Sequence, residues 1–193
     1  METEITAIFW LAFAVILALL EIEIEGPDGW AYKLPTWYRT TGIGKIYGRF
    51  MNKKPMTGYH TFLFILLNLI FHASYFNGAT WTWEKELYTI SLIMTISVVW
   101  DYLWFVLNPH FGWRSFKKNR IWWHAKSIWV LGFPMDFYSG IAIALILNLI
   151  IGNCLNYLIQ LAIFIGGTII IVIVSPLYHK WYMKMRWRDD RPK

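Results

Sequence analysis

The chain has 193 residues, of which 57% are hydrophobic and only 16% charged, with a formal net charge of +6 at pH 7. A soluble domain carries about a quarter charged residues, so composition excludes an ordinary soluble enzyme. The 19% aromatic content, with 13 tryptophans, suits a protein lying across two membrane–water interfaces. A single cysteine, Cys154, excludes an intrachain disulfide and a thiolate metal cluster.

A helix needs about 20 apolar residues to cross the hydrocarbon core. The first such run starts at Ile5, after the acidic opening METEITAIFW, and reaches Leu20 or Glu25. A secretory signal wants positive charge there, so this segment reads as a retained helix. It ends in Glu21, Glu23 and Glu25, then Gly26-Pro27. Carboxylates are disfavoured at the negative end of a helix dipole. If the helix continues, Glu21 and Glu25 share a face and Glu23 points nearly opposite. If the chain turns extended, all three share one face. Further spans are expected at about 60–76, 87–108, 134–151 and 155–177, followed by a basic tail, 178–193. The fold class is therefore all-α: one domain, residues 1–193, forming an integral membrane bundle of five transmembrane helices.

Lys and Arg set orientation. Six basic residues lie between spans one and two, five between three and four, and six in the tail, leaving only Lys85 elsewhere. Five spans put all three basic segments on one face, the cytoplasmic one of a plasma (inner) membrane, with the N-terminus outside. The two long inner segments mix Trp, Tyr, Lys and Arg. They read as interfacial amphipathic segments that meet anionic headgroups of the inner leaflet. Because the membrane accounts for the basic charge, nucleic acid is not an expected partner. IWWHAKSIW could run as an interfacial helix anchored by Trp122 and Trp123.

Ionisable groups within spans are functional candidates by default. Asp101 stands in an apolar span. Trp104 and Asn108 follow it on the same helical face, and Pro109 ends the helix before His110. His60 opens span two, His124 lies in the second inner segment, and Asp136 falls in the first turn after Pro134. His72 reads as structural. The candidates gather at the cytoplasmic ends of four spans. Asp101 and Glu23 are assigned as catalytic carboxylates. Glu21, Glu25, His60, His124 and Asp136 are assigned as ligands of a divalent metal (Zn, Fe, Mn or Mg). Asn108, His110 and Trp104 are assigned as substrate contacts. Each has a plainer reading: acids paired with headgroup-layer cations, Asp136 as a helix cap, Asp101 in a structural pair. No HExxH, histidine box, phosphate loop or GxSxG elbow supports a specific reaction.

The segments EIEGPDGWAYKLPTW, MTGYH, WDYLWFVLNP and WWHAKSIWVLGFPMDFY resemble those of a set of small uncharacterised prokaryotic polytopic membrane proteins; this resemblance implies no activity. WAYKLPTW is also similar, more loosely, to an element of the tryptophan-rich sensory (translocator) proteins. Those have five helices and carry W-x-x-L-x-x-P-x-W after the first span. Here the element is one residue shorter, and the acids at the end of span one have no counterpart. The leading expectation is a metal-assisted enzyme or binding protein acting on a lipid or amphiphile at the cytoplasmic interface. The alternatives are an enzyme using Asp101 or a Glu as general base without metal, a proton-coupled small transporter, and a structural or homo-oligomeric subunit associating through Gly166-Gly167.

Overall fold

The computed structural model describes residues 2–51 and 53–188, the side chain of Phe50 excepted. Arg191 and Lys193 of the basic tail lie outside the described residues. Helix α1 spans Glu2–Glu25, α2 Ile43–Phe50, α3 Gly58–Phe76, α4 Trp83–Leu107, α5 Met135–Ile150 and α6 Cys154–Trp187. Two short antiparallel ribbons add β1 (Tyr38–Arg39) to β2 (Met56–Thr57) and β3 (Trp129–Val130) to β4 (Phe133–Pro134). Among the described residues four helices, α1, α3, α4 and α6, are long and apolar enough to cross a membrane. The segment expected as the fourth span is the shorter apolar helix α5, with 16 residues. Helix α6 has 34 residues, about 51 Å at 1.5 Å per residue, against a core of ~30 Å.

Local signals explain the helix ends. Thr57 caps α3, its Oγ1 accepting the His60 N–H at 3.2 Å, and Thr82 caps α4 by accepting from Lys85. Glu84 and Glu86 occupy the first turn of α4, where the dipole favours acids. Leu131 and Gly132, both at positive φ, turn the β3–β4 hairpin, as two-residue hairpin loops require. Helix α2 lies outside the bundle and exposes Ile43 and Ile46. Its Tyr47 phenol is pushed up to about 12 by burial.

Helix α4 is the hub. It packs on α1, α5 and α6 and only sparsely on α3. Its buried face carries Leu92, Ile96, Trp100, Leu103 and Phe105. Away from the acidic end, polar side chains tie the helices. Asn148 Nδ2 donates to Ser91 Oγ at 2.5 Å, Thr95 Oγ1 and Tyr157 Oη meet at 3.2 Å, and Gln160 donates to Tyr88 Oη at 2.6 Å. Gly167 lets α1 close on α6, since a Cβ there would collide with Leu11, whereas one at Gly166 meets nothing within 4 Å. At the same end His72 bridges Glu86 at 3.1 Å and the Asn68 carbonyl at 2.7 Å, joining α3 to α4.

The segment between α4 and α5 departs from expectation. Residues 121–128 form turns rather than an interfacial helix, with Ile121 and His124 wholly buried and Trp123 at 5% exposure, while Trp122, Ala125, Lys126 and Ile128 face outward. Trp123 stacks on Phe105 (ring centroids 5.6 Å apart). The segment plugs the end of the bundle because burying these rings against α4 outweighs helix formation at the surface. Asn108, also wholly buried, stitches this end. Its Nδ2 donates to the Gly26 carbonyl at 2.9 Å and its Oδ1 accepts the His110 N–H at 3.0 Å. Replacing Asn108 by Ala orphans the Gly26 carbonyl and is expected to destabilise the fold by about 1–3 kcal/mol. Thermal unfolding of the detergent-solubilised protein measures this; an unchanged midpoint would remove Asn108 as a fold determinant.

Candidate functional site

Helix α1 stays helical through Glu25, so its three acids separate. Glu21 and Glu25 are buried, at 7% and 8% exposure, and face inward. Glu23 is exposed on the other side, toward Tyr178 and Tyr182 of α6. The loop after α1 is wound around Glu25. Gly29, Trp30 and Ala31 all hold positive φ, at 66°, 46° and 53°. For two consecutive non-glycine residues this is strained by roughly 1–3 kcal/mol each. The turn delivers the Ala31 N–H to Glu25 Oε1 at 2.5 Å and lays the Trp30 ring on His60, centroids 4.0 Å apart. Gly29 has no alternative, because a Cβ there would enter the Trp123 ring.

His60 projects from the first turn of α3 into this corner and is 2% exposed. Its Nδ1 lies 2.8 Å from Thr57 Oγ1, and its Nε2 lies 3.7 Å from Glu21 Oε1 and 3.5 Å from Glu25 Oε1. With Nδ1 as donor, Nε2 turns a lone pair toward two carboxylates. One ligand atom from each of Glu21, Glu25 and His60 lies within 4.8 Å of the others. Ligands bonded at ~2.1 Å in a tetrahedral shell sit about 3.4 Å apart, close to the separations here. The cluster could therefore hold a metal ion. Thr57 would serve as the partner that orients a ligating imidazole.

A second polar chain stands nearby. His124 Nε2 meets Asp101 Oδ2 at 3.0 Å, and its Nδ1 lies 3.6 Å from Asp136 Oδ2. His124 is wholly buried, while the Asp101 and Asp136 side chains are about 30% exposed, at 28% and 32%. Trp129 donates its indole N–H to the His124 carbonyl at 3.0 Å, fixing the turn.

Both chains border one cavity of about 350 Å³. Its polar end is lined by Glu21, Glu25, Lys54, His60, Asp101 and Asp136, with Trp30, Trp100, Trp104 and Trp123 among them. Its other end is apolar, lined by Leu17, Phe64, Leu67, Phe71, Ile93 and Ile96. The sparse α3–α4 packing leaves this space. The stacking of Trp10 on Phe71, at 4.5 Å, draws α3 to α1 at the apolar end.

Of the residues expected at the site, Glu21, Glu25, His60, Asp101, Trp104 and Asp136 line the cavity, and His124 stands behind Asp101. Three do not join them. Glu23 faces α6, His110 is exposed, and Asn108 is engaged in the backbone stitch. Helical period separates Glu23 from its neighbours, and the turn after Pro109 carries His110 outward. Among the cavity residues that carry no site assignment from sequence are Lys54, Trp30 and Trp100. Lys54, 7% exposed, places its Nζ 4.7 Å from the Trp30 ring centroid. Lys54 reads as one of many basic residues in the inner segment; its place before the Pro55 turn into α3 was the available signal.

No family model, curated protein or solved structure matches the chain.

Asp101 and His124 are in contact, so Asp101→Asn and His124→Phe should be non-additive in stability by about 0.5–3 kcal/mol. Glu23→Gln and Asp101→Asn should add. Unfolding of the single and double variants gives both cycles, and additivity in the first would dissolve the pair.

Proposed function

We propose that this is a membrane-embedded divalent-metal protein that binds, and acts on, a lipid or amphiphile at the cytoplasmic interface. One observation carries the reading. Glu21, Glu25 and His60 converge, buried, at the polar end of a cavity whose remaining wall is apolar. An uncompensated cluster of buried carboxylates is costly, and a divalent ion compensates two of them at once. An imidazole ligand favours zinc or iron over manganese or magnesium. Three protein ligands leave a coordination position open for water or substrate. Asp101, backed by His124, is the cavity carboxylate placed to take a proton from a bound ligand.

In this reading α5, extended by Pro134 and Ile151, is the fifth span. The acidic end of α1 then lies at the inner face of the plasma membrane, with the N-terminus outside and the C-terminus inside. The basic inner segments and the end of α6, with Lys180, Lys184, Arg186 and Arg188, meet anionic headgroups there. The distribution of Lys and Arg supports this placement. Single cysteines at Thr3 and Lys184, in a Cys154→Ser background, should react with an impermeant maleimide in intact cells at position 3 only. Labelling of both positions, or of 184 alone, would overturn the topology.

Elemental analysis of the purified protein should find about one transition-metal ion per chain. Glu25→Gln, which keeps the oxygen that accepts the Ala31 N–H, should lower metal affinity at least ~10–100-fold; Glu23→Gln should not. Absence of stoichiometric metal before and after reloading would refute the metal site.

A further inference from the structure

The cavity differs from a plain metal pocket in three respects, and together they describe its occupant. Its opening is lateral. Asn68 of α3 and Met94 and Ser97 of α4 line it and are exposed, with partly exposed Gly140 of α5 beside them. Met94, Ser97 and Asp101 recur at helical spacing along one stripe of α4, between α3 and α5. The mouth therefore faces the bilayer interior and leads up to the polar end. Its extent is that of one chain. From Trp104 to Ile93 the lining of α4 covers about 16 Å at 1.5 Å per residue, roughly half the hydrocarbon thickness. The volume of about 350 Å³ is that of a small-ligand pocket, enough for one short acyl or alkyl chain.

The third respect concerns the head. Trp104 is 2% exposed and Trp100 5%, both line the cavity, and among the described residues neither indole N–H has a hydrogen-bond partner. Trp100 faces Glu21 without reaching hydrogen-bond geometry. An indole N–H only donates, and buried donors are rarely left unmet. An ammonium head has no lone pair to offer them. An oxygen-rich head does. It would also meet the Lys54 amine and the open position of a metal held by Glu21, Glu25 and His60.

We infer that the cavity takes a single-chain amphiphile with an oxyanion head, a fatty carboxylate or a monoalkyl phosphate, entering from the bilayer between α3 and α5. This rests on the proposed cation site for part of its head contacts, and on the indoles and the lateral mouth for the rest.

The test uses the full chain in phosphatidylcholine nanodiscs, with protein-free nanodiscs as background. Radiolabelled lauric acid and dodecyl phosphate are titrated separately, and unlabelled dodecyltrimethylammonium is the competitor. Saturable binding of about one oxyanion probe per chain, resistant to that competitor, is expected, and the tighter of the two probes identifies the head. Trp104→Phe should weaken binding about tenfold by removing one donor to a charged acceptor. Ser97→Trp, an exposed position at the mouth, should reduce uptake without lowering the unfolding midpoint. Equal displacement by the ammonium amphiphile, or binding unchanged in both variants, would overturn the inference. Metal is assayed on the same samples. Stoichiometric metal without saturable oxyanion binding would refute this inference alone. Oxyanion binding without metal would refute the metal site and leave the amphiphile standing.

Discussion

Four carboxyl groups, those of Glu21, Glu25, Asp101 and Asp136, line one cavity at one end of the bundle, and the protein is organised around compensating them. Taking a carboxylate out of water costs several kcal/mol even after relaxation. Glu21, Glu25, Asp101 and Asp136 come from three different helices, and their imidazole partners come from other segments of the chain. The two long segments, between α1 and α3 and between α4 and α5, supply the partners. The first brings Trp30, Ala31, Lys54 and Thr57 to the Glu21–Glu25–His60 corner. The second brings His124 between Asp101 and Asp136. Left-handed backbone at Trp30 and Ala31 is the strain that this arrangement carries. Such strain persists where surrounding contacts over-determine it, here the His60 stack, the Glu25 hydrogen bond and the Trp30 indole donating to the Pro55 carbonyl at 2.8 Å.

The same constraint shapes the apolar part. Helices α1, α4, α5 and α6 pack closely and satisfy their few polar residues across the interfaces, as Ser91–Asn148 and Thr95–Tyr157 do. Helix α3 is held at both ends, by His60 at the acidic corner and by His72–Glu86 with Trp10–Phe71 at the other. Between those ties it stands off from α4. A helix pinned at its ends and loose in its middle leaves a cavity with one charged end, one apolar end and one side toward the surroundings of the bundle.

Much of this was legible in the residues. The apolar runs marked α1, α3, α4 and α5 within a few positions, because runs of that length have no alternative in a bilayer, whereas α6 continues to Trp187 through the stretch expected as a separate basic tail from 178. The gathering of acids and histidines near one set of helix ends followed from chain order alone. The parting of Glu23 from Glu21 and Glu25 was one of two outcomes the pattern allowed, and helical continuation through Glu25 selected it. The buried turns at 121–128, the stitch made by Asn108 and the entry of Lys54 into the cavity were not legible. Each depends on a partner more than 20 residues away, as the Asn108–Gly26 and His124–Asp101 bonds show.

Hydropathy and periodicity are properties of neighbouring residues, so the amino-acid order alone settles that this is a helical membrane-type protein with its titratable groups crowded toward one end. Which of those groups meet is a matter of long-range packing. Only the folded chain pairs His60 with Glu21 and Glu25, sets His124 behind Asp101, turns Glu23 and His110 away, and opens a cavity between α3 and α4. The reason is that contact between side chains on different helices is decided by helix rotation and by the course of the connecting segments. Local sequence pattern constrains both only loosely.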